Sequence, residues 1–109
     1  MEQFQIKGKK MIIRVPRELD HHTAEPIRTE ADDLMIHRQI DQIEFDFRDT
    51  EFMDSSGIGV MMGRYQNIHV LGGTVCASHV NERIFRVLQL SGITKVIEIK
   101  KEINWSKGV

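Results

Sequence analysis

The chain has 109 residues, enough for one domain with its own buried core and too few for a second, catalytic domain. Fifteen basic and sixteen acidic residues give a formal net charge of −1, and the basic residues do not cluster, which argues against direct DNA binding. No apolar run approaches the roughly 20 residues of a membrane span and no signal peptide opens the chain, so we expect a cytoplasmic protein outside the membrane.

Hydrophobic periodicity predicts an α/β domain. Alternating apolar and polar residues indicate strands at about residues 4–6, 11–16, 42–47, 74–77 and 96–99. Apolar residues three or four apart indicate helices at about residues 24–37, 56–67 and 82–90, the last between Asn81 and Gly92. Pro26 is expected in the first turn of a helix that starts near Thr23, where its missing N–H is harmless. After an opening hairpin, the alternation implies right-handed crossovers in a layered fold.

The stretch FMDSSGIGVMMGRY, residues 52–65, brings two hydroxyls, Ser55 and Ser56, to a predicted helix start. Asp54 or Ser55 is the expected N-cap. A helix start favours an anion, so the fold would tolerate a phosphoryl group on a serine there. A capping role alone would also explain a serine at this position. Gly57 and Gly59 would leave the first turn open to close approach by another protein.

Other candidate chemistry is weaker. His21 and His22 are adjacent and diverge on any regular element, so we predict no metal site. Ser55 lacks the G-x-S-x-G context of a hydrolase, with Met53 where the first glycine belongs. No glycine-rich phosphate loop is present, so a phosphoryl donor must sit on a partner. Cys76, the single cysteine, excludes an internal disulfide and is expected to be a buried thiol. We expect a binding protein with no enzymatic activity and no cofactor.

Three segments together carry a family resemblance. FMDSSGIGVMMGRY, ELDHHTAE at residues 18–25 and LSGITKVIEI at residues 90–99 resemble the STAS domain family, and within it the sporulation branch of anti-sigma factor antagonists. The resemblance covers about residues 3–100. It implies a single domain over residues 1–109 with a short polar tail at 101–109. The implied fold is a mixed β-sheet of about five strands with helices packed mainly on one face.

The resemblance also implies a phosphorylation switch. In that family the unphosphorylated antagonist binds an anti-sigma factor that is also a serine kinase, carrying ATP or ADP, and releases the sigma factor, sigma F in sporulation. The kinase then phosphorylates the first serine of the DSSG motif, which is Ser55 here, and binding is lost. A serine phosphatase resets the antagonist. Carried over by position, the partner-binding residues are Asp20, His21, Asp54, Ser56, Gly57 and Ile58, the first two on a loop after the second strand.

Two other interpretations remain open. A related antagonist of a general-stress sigma pathway, or a scaffold-type STAS module, would share most of these features, although the DHHTAE and GRY segments favour the sporulation branch. A receiver-like phosphoaspartyl domain is the more distant alternative, because Asp54 follows a strand in a chain of similar size. It lacks an evident acidic pair after the first strand to hold magnesium. Trp105 could be a partner anchor or a loosely packed tail residue.

Overall fold

The computed structural model describes residues 2–102, so Trp105 and most of the predicted polar tail lie outside the described residues. In chain order the elements are β1 Phe4–Lys7, β2 Lys10–Arg14, β3 Glu18–Leu19, α1 His21–His37, β4 Gln42–Asp46, β5 Phe52–Met53, α2 Ser55–His69, β6 Thr74–Val80, α3 Glu82–Ser91, a 3-10 turn at Ile93–Lys95, and β7 Glu98–Lys101. No helix in the described range is long and apolar enough to cross a membrane.

A five-stranded mixed sheet forms the centre of the fold, in the order β1-β2-β4-β6-β7. β1 and β2 are antiparallel, and the other neighbours are parallel. One face carries Met11, Phe45 and Ala77, all fully buried in the core beneath the helices. The opposite face is polar, with the Glu44 carboxylate 2.7 Å from the Lys10 ammonium and accepting a 2.6 Å hydrogen bond from the Ser78 hydroxyl. The expected sheet of about five strands, with helices mainly on one face, is confirmed.

Two short strands were not anticipated from the sequence. β3 and β5 are two residues each and form a separate parallel pair, with Glu18 opposite Phe52 and Leu19 opposite Met53. A two-residue strand is too short to show a period of two, so its pairing depends on the tertiary structure around it. This small pair joins the chain just before α1 to the chain just before α2.

Helix α1 begins at His21, three residues earlier than predicted, because Asp20 forms a capping box with Thr23. The Asp20 side chain accepts the Thr23 N–H at 3.1 Å, and the Asp20 N–H donates to the Thr23 hydroxyl at 2.9 Å. The prediction of Pro26 in the first turn was therefore wrong, since it lies in the second turn of the observed helix. There it removes the N–H that would donate to the His22 carbonyl.

An ion pair lies in the interface between α1 and α2. Arg64 on α2 is only 5% exposed, and its Nε is 3.0 Å from Oδ1 of Asp32 on α1. Burial lowers the pKa of Arg64, and the Asp32 carboxylate opposes this shift. Asp32 also faces Arg28 across 3.7 Å, one turn earlier on α1. The interface between the two helices thus combines apolar packing with a buried charge and its counter-charge.

Candidate functional site

The β3–β5 pair brings the starts of α1 and α2 together. Leu19 and Met53 are opposite each other in this pair, and the Asp54 N–H donates to the Leu19 carbonyl at 3.2 Å. The residue after each strand, Asp20 or Asp54, is the N-cap of the helix that follows. The two segments that the sequence singled out, whose N-cap residues are 34 positions apart in the chain, therefore form adjacent helix starts. Both lie where strands end and helices begin, the usual place for sites in such folds.

Ser55 is the first residue of α2 and is exposed. Asp54 is the N-cap, and its carboxylate accepts the Ser56 N–H at 2.8 Å. The Ser55 hydroxyl forms no hydrogen bond within residues 2–102. Ser56, the next residue, is half-buried. Of the two adjacent hydroxyls, that of Ser55 is the more accessible to a reagent from solution.

Gly57, in the first turn of α2, is buried against the small strand pair. A Cβ atom at this position would stand 2.7 Å from Leu19 Cδ2 and 2.7 Å from Met53 Cγ, closer than real Cβ contacts allow. Glycine is thus required for packing within the domain, not to open the surface as the sequence suggested. Gly59 does leave open space, since a Cβ atom there would meet no atom within 4 Å. Ile58, between the two glycines, is half-buried.

The second predicted segment also differs from expectation in its local structure. His21 does not lie on a loop after the second strand; it is the first residue of α1, exposed, and follows β3. The Asp20 carboxylate accepts N–H groups from Thr23 and His22, at 3.1 and 3.0 Å. These hydrogen bonds, that of Thr23 first, lower the pKa of Asp20. Asp20 is consequently ionised at neutral pH and keeps a negative charge at the helix start that adjoins that of Ser55.

Two residues of this region, Thr50 and Phe52, were not singled out as site residues from the sequence. The buried Thr50 hydroxyl donates to the carbonyls of Val15 and Pro16, at 3.2 and 2.9 Å, and the Thr50 carbonyl accepts the Asn81 side chain at 3.0 Å. Thr50 thereby ties the loop before β5 to the end of β2 and the start of α3. Phe52, within β5, is 50% exposed. The one feature of the sequence that could have pointed to Phe52 is its position in the motif, three residues before Ser55.

The other candidates show no convergent chemistry. Within residues 2–102, no three His, Cys, Asp or Glu side chains are grouped so that they could hold a metal ion. Cys76 is half-buried, not fully buried as expected, on the polar face of the sheet opposite Glu44 in the strand register. Burial raises the pKa of its thiol, so it remains protonated and weakly reactive at neutral pH.

Comparisons with known proteins agree with this geometry. The chain is 39% identical over 95 residues to the anti-sigma F factor antagonist of Paenibacillus polymyxa, covering 86% of this chain and 81% of that protein. The solved structure of the anti-sigma factor antagonist SpoIIAA in its unphosphorylated form superposes with a TM-score of 0.81 at 27% identity, covering 93% and 89% of the two chains. SpoIIAA of Bacillus in its phosphorylated form gives 0.73 at 27% identity, covering 93% and 92%.

The STAS domain family matches residues 3–104, nearly the whole length of the chain. This match includes the five-stranded sheet and both helix starts, and it removes the receiver-like alternative. On the family match, the sequence identity and the superposition together, the chain belongs to the STAS domain family.

Proposed function

We propose that the unphosphorylated protein binds an anti-sigma factor that is also a serine kinase and so releases sigma F. In this proposal the kinase phosphorylates Ser55, binding is lost, and a serine phosphatase restores the active form in the cytoplasm. The relatives support an anti-sigma factor antagonist, which acts by binding and not by catalysis. SpoIIAA has been solved in both unphosphorylated and phosphorylated forms, which supports a phosphorylation switch.

The observation that carries the proposal is the exposed Ser55 hydroxyl at the start of α2, next to the start of α1. In this proposal the partner surface consists of the exposed His21 and the half-buried residues around Ser55, with Gly57 buried beneath them: Asp20, Asp54, Ser56 and Ile58. Because the chain has no phosphate-binding loop, ATP or ADP belongs to the partner. Docking of this surface would bring the Ser55 hydroxyl to the γ-phosphate of the bound ATP.

The same geometry explains why a phosphate on Ser55 would act on the partner. The Asp54 carboxylate already accepts the Ser56 N–H, so a phosphate would have to compete for this helix-start donor. Phosphoserine would add about −1.5 to −2 charges to a surface that already carries the carboxylates of Asp20 and Asp54. The added charge would face outward and repel or desolvate groups of the bound partner, without a change of fold.

Release of the sigma factor tests this function. We expect the unphosphorylated protein, titrated into a complex of labelled sigma F with its anti-sigma kinase and ADP, to free the label, as read by fluorescence anisotropy. The same protein phosphorylated on Ser55 should leave the complex intact. A parallel titration of the general-stress sigma complex gives the control for pathway. Release only in that second titration would reassign the pathway, and release in neither would refute the proposed function.

A further inference from the structure

A stable complex needs more surface than the two helix starts provide. Specific protein interfaces bury about 800 Å² on each partner, contributed by on the order of 20 to 30 residues. The described residues expose 6553 Å² in total, so such a contact would cover roughly an eighth of the surface. A partner centred on Ser55 must therefore also cover neighbouring elements. The exposed side chains around Ser55 indicate which neighbouring elements the partner contacts.

Phe52 is the large apolar side chain exposed beside Ser55. The remaining large apolar side chains that are exposed within residues 2–102 lie near the far ends of the helices or before β7: Ile36, Val70, Leu71, Leu90 and Val96. All three helices begin at the carboxyl edge of the sheet, so their far ends point away from Ser55. Aromatic residues are enriched among those that dominate binding energy at interfaces. The exposed Phe52 ring therefore suggests that the partner contact extends from Ser55 over β5.

Beyond Phe52 the surface continues onto α3. The Arg83 guanidinium donates to the Glu51 carbonyl at 3.4 Å, which joins the start of α3 to the residue before Phe52. A shallow hollow of about 370 Å³ follows, lined by Glu51, Asn81, Glu82, Arg83 and Arg86. The Arg86 guanidinium is exposed and has no ion-pair or hydrogen-bond partner among the described residues. An unpaired guanidinium thus lies on one side of this hollow, and the exposed Phe52 ring follows Glu51 on the other side.

We propose that the partner contact runs from Ser55 across Phe52 to Arg86. Phe52 inserts into an apolar pocket of the anti-sigma factor, and Arg86 pairs with a carboxylate beside that pocket. This inference rests on the proposed function and adds the chemistry of the partner: an apolar recess with an acidic group next to it. Arginine suits this role because its planar guanidinium can bind a carboxylate through two hydrogen bonds.

The test compares two variants in the surface with two matched variants far from it. Phe52→Ala and Arg86→Glu are paired with Ile36→Ala and Arg38→Glu, which remove the same kinds of exposed group near the end of α1, about 25 Å along the helix from its start. Titration calorimetry with the anti-sigma kinase and ADP gives the affinity, and urea unfolding shows that each variant remains folded. Phe52→Leu keeps an apolar side chain and serves as the conservative variant.

We expect Phe52→Ala to weaken binding by about 30-fold and Arg86→Glu by about tenfold. Phe52→Leu should bind more tightly than Phe52→Ala, and both variants at the end of α1 should stay within about twofold of the unaltered protein. Affinity within twofold for Phe52→Ala would refute the anchor, and the same result for Arg86→Glu would refute the acidic pairing. Failure of the unaltered protein to bind would instead refute the proposed function itself.

Discussion

Replacing Ser55 with aspartate is expected to weaken binding to the anti-sigma kinase by about 10- to 100-fold. Driving a complex from 99% to 1% bound requires about 5.5 kcal/mol. Aspartate supplies about half the charge of a phosphate, hence up to about half of that free energy. Ser55 is exposed at the first position of α2, and Asp54 already caps Ser56, so the new carboxylate adds charge to the contact surface. Titration calorimetry in the presence of ADP measures the change.

Two further variants separate charge from shape in this experiment. Gln66→Glu adds one negative charge at an exposed position in the last turns of the same helix, and we expect it to leave the affinity within about twofold. Ser55→Ala should also bind nearly normally, because it adds no charge to the contact surface and removes no hydrogen bond within residues 2–102. Loss of binding by Ser55→Ala would show that the hydroxyl is itself a required contact. Unchanged affinity of Ser55→Asp would contradict the electrostatic switch.

Replacing Asp32 with alanine should lower the free energy of unfolding by about 3 kcal/mol. The substitution leaves Arg64, which is 5% exposed, without its counter-charge at 3.0 Å. Breaking a buried ion pair from one side costs about 3 to 5 kcal/mol, and the Asp32 side chain is 32% exposed, which places the effect at the lower end. Since small domains have only about 5 to 15 kcal/mol of stability, urea unfolding should show a large shift of the midpoint.

The neighbouring residue provides the control for Asp32. Asp33 is exposed, and its one ion-pair partner within residues 2–102 is the exposed His37, so Asp33→Ala should change stability by no more than about 0.5 kcal/mol. Replacing both members of the buried pair, as Asp32→Leu with Arg64→Met, should recover most of the lost stability. Equal stability of Asp32→Ala and Asp33→Ala would mean that Asp32 does not stabilise the buried Arg64 guanidinium.

The fold could be predicted from the sequence wherever a segment is long enough to show its period. The alternation over residues 42–47 identified β4, and Asn81 and Gly92 marked both ends of α3 as observed. The start of α1 was placed too late because the reciprocal bonds of Asp20 and Thr23 define it, not an apolar period. Arg64 could not be recognised as buried, since a charged residue on a helix usually faces water.

The candidate site was predictable in its position but not in its construction. Asp20 and Ser55 could both be assigned to junctions between a strand and a helix, although only Ser55 was predicted to lie at the helix start itself. Their proximity depends on the β3–β5 pair, which local sequence does not reveal. For the same reason, the packing need for Gly57 and the exposure of Phe52 became evident only in three dimensions.

The most direct test of the central claim is to locate the phosphate after incubation of the purified protein with its cognate anti-sigma kinase and ATP. Fragment mass spectrometry would be run on the unaltered chain and on Ser55→Ala in parallel. We predict one acid-stable phosphate, on Ser55, that is absent from the variant. A phosphate on Ser56, an acid-labile phosphate on Asp54, or no phosphate on a protein that still binds the kinase would contradict the proposed switch.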